Sequence, residues 1–268
     1  MRKVRPSSTS SKIGRVYNLS MSIRVQSMPD EYYHVYNRGV DKRVVFDDIY
    51  DYQRFLLLLL LSNDTISVDV SQSIRNFSIP ELIAKERTPL VSIFAFSLLP
   101  NHYHLLISPV EECGVSKFMQ KVATGYTMYF NKKNERSGSL FQGKYKIKHL
   151  TDDRYLKYLF EYIHLNPIRE EFDIIESGVV ESLIEQLESN PWTSLSVYSG
   201  KEYGRLSESI LDKTLFEELF GSYEQHYQSL CNWKEAFHEE GSTFLTPSES
   251  NVLGKVEPSS PSSIYENR

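Results

Sequence analysis

The sequence predicts an α+β fold, a small and mostly antiparallel sheet with helices packed on it and a helical C-terminal extension. Two observations lead there. Short stretches rich in aromatic and β-branched residues, the pattern of strands, are interleaved with longer stretches of helical period. Hydrophobic residues make up 40% of the 268 positions, enough to fill a core of about 150 residues with additions. No internal repeat and no glycine-rich phosphate cradle is visible.

Residues 1–28 are rich in Ser, Arg and Val without a clear period and read as an N-terminal arm. EYYHVYNRG (31–39) has strand composition and ends at a glycine. DDIYDYQRFLLLLLLS (47–62) opens on aspartates suited to capping and continues as a helix. Its apolar run FLLLLLL (55–61) is far short of the roughly 20 residues that cross a bilayer, so it reads as a buried helix and no membrane is expected. The stretch 63–88, with the short helical candidate IPELIAKE, reads as an excursion or insertion. PLVSIFAFSLLP (89–100) is an apolar strand broken by Pro100, and HYHLLISP resumes as a strand. SKFMQKVATGYTMYFNKK predicts a helix of about 14 residues, followed by the glycine-containing basic turn NERSGSLFQGKYK. TDDRYLKYLFEYIHLNP starts with Thr and Asp at N-cap positions and is stopped by Pro167. Beyond it come an acidic helix within 171–199, with Trp192 as a packing anchor, and one or two amphipathic helices over 207–240. The Ser/Pro-rich end predicts disorder. The domain reading is an arm (1–28), a core domain (29–200, with 63–88 as a possible insertion) and a helical extension with its tail (201–268).

The net charge is −5 and the calculated pI 5.9, but the average hides an asymmetry. Between Lys117 and Lys148 there are eight basic residues and one acidic, whereas Glu170 to Asn190 holds seven acidic residues and no Lys or Arg. A cationic segment of this kind attracts a polyanion despite the negative total. Cys113 and Cys231 lack CxxC spacing and the chain opens Met-Arg-Lys-Val without a signal peptide, so a cytoplasmic location is expected.

The cationic segment follows directly on FSLLPNHYHLL, which carries His102 and His104. At i and i+2 on a strand both point the same way with bases about 7 Å apart, close enough to share one ion. A third ligand is needed. EYIHLNP offers Asn166, with Tyr162 one helical turn earlier on the same face. Two neutral imidazoles and an amide oxygen leave a divalent ion its full charge to polarise a phosphodiester oxygen, while Tyr162 serves as nucleophile. Mg²⁺ prefers oxygen ligands and Mn²⁺ tolerates imidazole better, so either could serve. Tyr126 and Tyr129 compete for the nucleophile's role, Tyr126 first, but neither has a polar ligand at i+4. His164 reads as structural or DNA-facing, His34 as making a local hydrogen bond, and His149 as touching phosphate.

FSLLPNHYHLLISP, FMQKVATGYTMYFNKKNERSGSLFQGKYK and YLKYLFEYIHLNPIRE, in this order, resemble the IS200-type transposases, most closely those associated with repetitive extragenic palindromes (REP). These are single-tyrosine members of the HUH endonuclease superfamily, and the likeness covers roughly residues 28 to 200. The resemblance implies a four- or five-stranded antiparallel sheet, metal held by His102, His104 and Asn166, and Tyr162 as nucleophile. It implies nicking and resealing of single-stranded DNA near a hairpin through a 5′-phosphotyrosine link. Monomer and homodimer both remain open. Lys132, Lys133, Arg136, Lys144, Lys146 and Lys148 are then expected to meet backbone phosphates, and Tyr33, Phe141 and Tyr145 to stack on unpaired bases. Two competing readings remain: a metal phosphodiesterase using activated water, and a hairpin-binding regulatory protein without catalysis.

Overall fold

A computed structural model of the chain describes residues 27–168, 179–201 and 204–233. Most of the expected arm, the tail beyond 233 and the start of the acidic segment after Pro167 lie outside the described residues.

Four strands, β1 (Tyr32–Arg38), β2 (Val91–Leu99), β3 (His102–Pro109) and β4 (Lys146–Leu150), form one sheet in the order β2-β3-β1-β4, every pair antiparallel. The fold is therefore the expected α+β plan, with four strands. Alternation along β3 decides what each face carries. Tyr103, Leu105 and Ile107 enter one apolar cluster, while Leu106 enters the other. His102 and His104 share the face of Leu106.

The first face is covered by α1 (Ile49–Ser62) and α4 (Gly114–Lys133). Helix α1 begins at Asp48, whose carboxylate accepts from the N–H groups of Tyr50 and Asp51, while the Asp51 carboxylate accepts in return from the Asp48 N–H. Phe55 to Leu61 are all buried, as expected of a helix that is apolar all round. Gly125 lets α4 approach closely, since a Cβ there would lie 2.7 Å from the Leu58 side chain. Helix α4 is 20 residues long, longer than expected because it starts two residues earlier and no residue within GYTMYFNKK interrupts it. Two short helices, α2 (Val70–Asn76) and α3 (Ile79–Ala84), occupy the stretch 63–88.

The second face is covered by α5 (Asp153–Leu165), capped by the Asp152 carboxylate and running into a 3₁₀ turn at Asn166–Ile168. Around α5 pack α6 (Val180–Glu188) and α7 (Leu195–Tyr198); α8 (Arg205–Ile210) instead sets Leu206 and Ile210 into the α1/α4 core, and α9 (Thr214–Phe220) and α10 (Tyr223–Cys231) return to the α5 side. The C-terminal extension is thus more finely divided than the sequence pattern suggests. Residues 192–194 run along the edge of β2: Leu98 N–H donates to Trp192 O and Ser194 N–H to Phe96 O. Trp192 stacks on Tyr52 at 4.6 Å, the anchoring role expected of it.

A buried polar network fixes α5 against this extension. His164 faces Ser194 Oγ at 2.7 Å through Nε2 and His226 Nε2 at 3.1 Å through Nδ1. All three side chains are fully buried, so His164 is structural and does not face DNA.

Candidate active site

The turn between β2 and β3 sets the first histidine. Asn101 donates from Nδ2 to Lys42 O at 3.3 Å, which turns its oxygen toward His102 Nδ1 at 2.5 Å. That oxygen needs a proton on Nδ1, so Nε2 of a neutral His102 carries a lone pair. Nε2 lies 3.2 Å from Asn166 Oδ1. A neutral ring has one N–H for these two oxygens, so the second contact opposes two lone pairs. Either the Asn166 amide rotates to present its NH₂ group, or a cation sits between the two atoms.

His104 is set by its neighbours on β1. In the strand register Tyr36 pairs with His104, Arg38 with His102 and His34 with Leu106, so His34, Tyr36 and Arg38 share the histidines' face. His34 Nε2 lies 2.8 Å from His104 Nδ1, and Tyr36 stacks on His104 at 5.7 Å. The bond made by His34 is long-range, where a local one is expected from the sequence. Burial, with the Lys148 charge adding to it, pushes the His34 pKa down to about 3. Burial also lowers His102 to about 4; the Asn166 contact opposes the shift and Arg38 adds to it. Both rings are therefore neutral at neutral pH, the form that binds metal.

Helix α5 supplies the remaining groups. Asn166, at its C-cap, is the polar side chain beside His102 Nε2. Tyr162, one turn earlier, lies edge-on to His104 at 5.7 Å between ring centroids and to His34 at 6.4 Å. The structure thus brings His102, His104, Asn166 and Tyr162 together. Tyr162 is 4% exposed, whereas His102 is half-buried, so the group opens at the β2–β3 turn. Among the described residues no group of three or more His, Cys, Asp or Glu side chains forms a metal site. Any ion here would need an amide ligand, and the donor set of two imidazoles and one amide oxygen fits a divalent cation.

The cationic segment divides. Lys146 and Lys148 pair with Tyr36 and His34 across β1 and β4, on the histidines' face. Lys148 donates to Tyr155 Oη at 2.8 Å, Lys146 is exposed, and Lys144 is exposed in the preceding loop. Lys132, Lys133 and Arg136 lie at the end of α4, on the other side of the sheet. Lys133 bonds Asp48 at 2.9 Å and the buried Asp51 at 2.7 Å. Arg136 donates to Asn131 Oδ1 and Ser139 O. The structure does not bring these three to the histidine pair.

Three expectations need correction. Tyr33 and Phe141 are 2% and 3% exposed, because their faces of the chain are turned into the α1/α4 core. Neither is open to stack on a base. Tyr145, half-buried with its hydroxyl 3.2 Å from Ser116 Oγ, is the more accessible ring. Tyr126 is fully buried and donates to Val45 O at 2.5 Å. Burial raises its pKa far above the ordinary phenol value, so it is a core residue with no route to a substrate. His149 pairs with Glu31 at 2.7 Å, which occupies the ring expected to touch phosphate. Arg38, not anticipated from the sequence, joins the site through the β1–β3 register. Its alternation with His34 and Tyr36 in YYHVYNR was the available signal.

Residues 69–166 match the family described as Transposase IS200 like. The matched segment covers less than half of the 268 residues. It runs from the N-cap of α2 to Asn166, and so contains His102, His104, Tyr162 and Asn166 but not β1. No curated protein matches the chain. Among solved structures the chain is similar to a REP-associated tyrosine transposase bound to a REP hairpin, with 11% identity and a TM-score of 0.43 over 69% of this chain and 87% of that one. Among the described residues, no helix is long and apolar enough to cross a membrane.

Proposed function

We propose that the protein nicks single-stranded DNA at or near a hairpin and rejoins it through a phosphotyrosine on Tyr162, using Mg²⁺ or Mn²⁺ held by His102, His104 and Asn166. The observation that carries this reading is the 3.2 Å approach of Asn166 Oδ1 to His102 Nε2, made by a helix that also sets the Tyr162 ring against His104. When bound, the cation draws charge from a non-bridging phosphate oxygen.

The chain's own residues do the rest. The Tyr162 oxygen attacks phosphorus and its proton is released, while the P–O3′ bond breaks, its electron pair goes to the 3′-oxygen, and that oxygen takes up a proton. One phosphate ester replaces another, so rejoining by a 3′-hydroxyl simply reverses the step and no ATP is consumed. His102, kept neutral because its surroundings lower its pKa to about 4, adds no opposing charge. Arg38, across from His102 in the register, offers a planar cation suited to phosphate oxygens. Lys146 and Lys148 extend the positive face along the edge strand toward the approaching backbone. The placement of the Tyr162 ring against His104 supports a protein nucleophile over an activated water.

The test is to incubate the protein with end-labelled hairpin DNA and Mn²⁺ and look for an adduct that survives denaturation. The expected result is an adduct in the wild type and in Tyr126→Phe, and none in Tyr162→Phe or with chelator. Cleavage without adduct would turn the reading to a phosphodiesterase. Binding without cleavage, insensitive to chelation, would turn it to a regulatory hairpin-binding protein.

A further inference from the structure

We propose that His34 is a positioning residue: it fixes the ring proton of His104 on Nδ1 and so turns the Nε2 lone pair of His104 toward the cation site. This inference rests on the functional reading above and deepens it. An imidazole gives a lone pair to a cation from only one nitrogen, and the proton on the other must find an acceptor. For His102 that acceptor is Asn101 Oδ1, 2.5 Å away and itself fixed by Lys42 O. For His104 it is His34 Nε2, 2.8 Å from its Nδ1. If the proton ran the other way, from His34 to His104, the His104 proton would move to Nε2 and block it.

The packing holds this alignment. The His34 and His104 rings stack at 5.1 Å with 17° between planes, and Tyr36 lies against both, 4.8 Å from His34 and 5.7 Å from His104. Tyr162 closes on their edges. Neither ring can rotate without displacing a neighbour in a close-packed interior. His34 is 5% exposed and His104 2%, so water does not compete for the bond.

A histidine acceptor also has a chemical consequence. A carboxylate in this place would orient His104 equally well but would bring a negative charge next to the cation and the incoming phosphate. A neutral imidazole orients without that charge, so the site keeps its full attraction for a polyanion. The central strand β1, which lies outside the family-matched segment, thereby contributes to the site through His34.

The test reads the tautomer directly, without metal. In ¹⁵N-labelled protein, with the His104 ring assigned by its loss in His104→Gln, two-bond proton–nitrogen spectra are expected to show Nδ1 protonated and Nε2 unprotonated. His34→Gln, whose side-chain oxygen can accept the same bond, keeps this pattern; His34→Leu moves the proton to Nε2 or mixes the two forms. Mn²⁺ affinity measured by titration is expected to fall about 10- to 100-fold in His34→Leu and to stay near the wild-type value in His34→Gln. A wild-type His104 protonated at Nε2 would overturn the proposal, as would a His34→Leu protein with unchanged tautomer and affinity. If the leucine variant does not fold, the wild-type and His34→Gln spectra still decide it. Failure of the wild type to bind Mn²⁺ at all would sink the functional reading, and the metal-free spectrum would still decide the His34 assignment.

Discussion

Replacing Arg38 with glutamine removes a buried positive charge from the histidines' face while keeping a polar side chain of similar length. Arg38 is 7% exposed and pairs with His102 across β1 and β3. A charge-assisted hydrogen bond from such a group to a phosphate oxygen contributes about 1.5–3 kcal/mol. At about 1.36 kcal/mol per decade, the rate of adduct formation is expected to fall about 10- to 150-fold. The loss should appear in the single-turnover rate at saturating DNA, with hairpin affinity changed far less. Arg38→Lys, which keeps the charge but loses the planar fork, should recover only part of the rate. The pH profile gives a second readout. Protonating His102 blocks Nε2, so activity is lost as pH falls through the His102 pKa. Burial chiefly sets that pKa near 4, and Arg38 helps to depress it. Removing Arg38 raises the pKa toward the ordinary value, so the acidic limb of the profile moves to higher pH. An Arg38→Gln protein with a rate within a factor of two of the wild type and an unmoved acidic limb would refute the reasoning.

Two further outcomes separate the parts of the cationic segment. Changing Lys146 and Lys148 together to glutamine should weaken single-stranded DNA binding and reduce the slope of log affinity against log salt by about 1.4, at about 0.7 per phosphate contact on a single strand; an unchanged slope would place the DNA elsewhere. Lys133→Met should leave that slope alone and lower thermal stability instead. Its partner Asp51 is fully buried, but Asp51 keeps bonds from Tyr129 and from the Asp47 N–H, and Lys133 is itself partly exposed. The expected loss is therefore about 2 kcal/mol, below that of a fully buried pair, and about 4–8 °C in Tm, measured by thermal unfolding with and without Asp51→Asn.

Local pattern made much of this architecture legible. Period-two alternation through HYHLLISP placed the two histidines on one face, and the four-residue spacing of Tyr162 and Asn166 placed both on one helical face. Those are short-range regularities, and both survive in the fold. What the pattern could not carry was strand register between distant segments. His34 and His104 are 70 residues apart in sequence, and only the β1–β3 pairing brings them, with Arg38, to one place. Burial was illegible for the same reason. Tyr33 and Phe141 have the same composition signal as a base-stacking aromatic, and the side of the sheet they face decides otherwise. Lys133 looked like part of a phosphate-binding run until α1 brought Asp48 and Asp51 to it. The pairing of His164 with His226, 62 residues later, likewise depends on how the C-terminal helices fold back over α5.

The shared-cation claim is tested most directly by loading the protein with Mn²⁺ and recording pulsed EPR nitrogen couplings. Two imidazole nitrogens are expected on one bound ion, with one coupling lost in His102→Ala and the other in His104→Ala, and with weaker binding in Asn166→Leu. Stoichiometric Mn²⁺ that carries no imidazole coupling, or a protein that binds no Mn²⁺ at millimolar concentration, would contradict it.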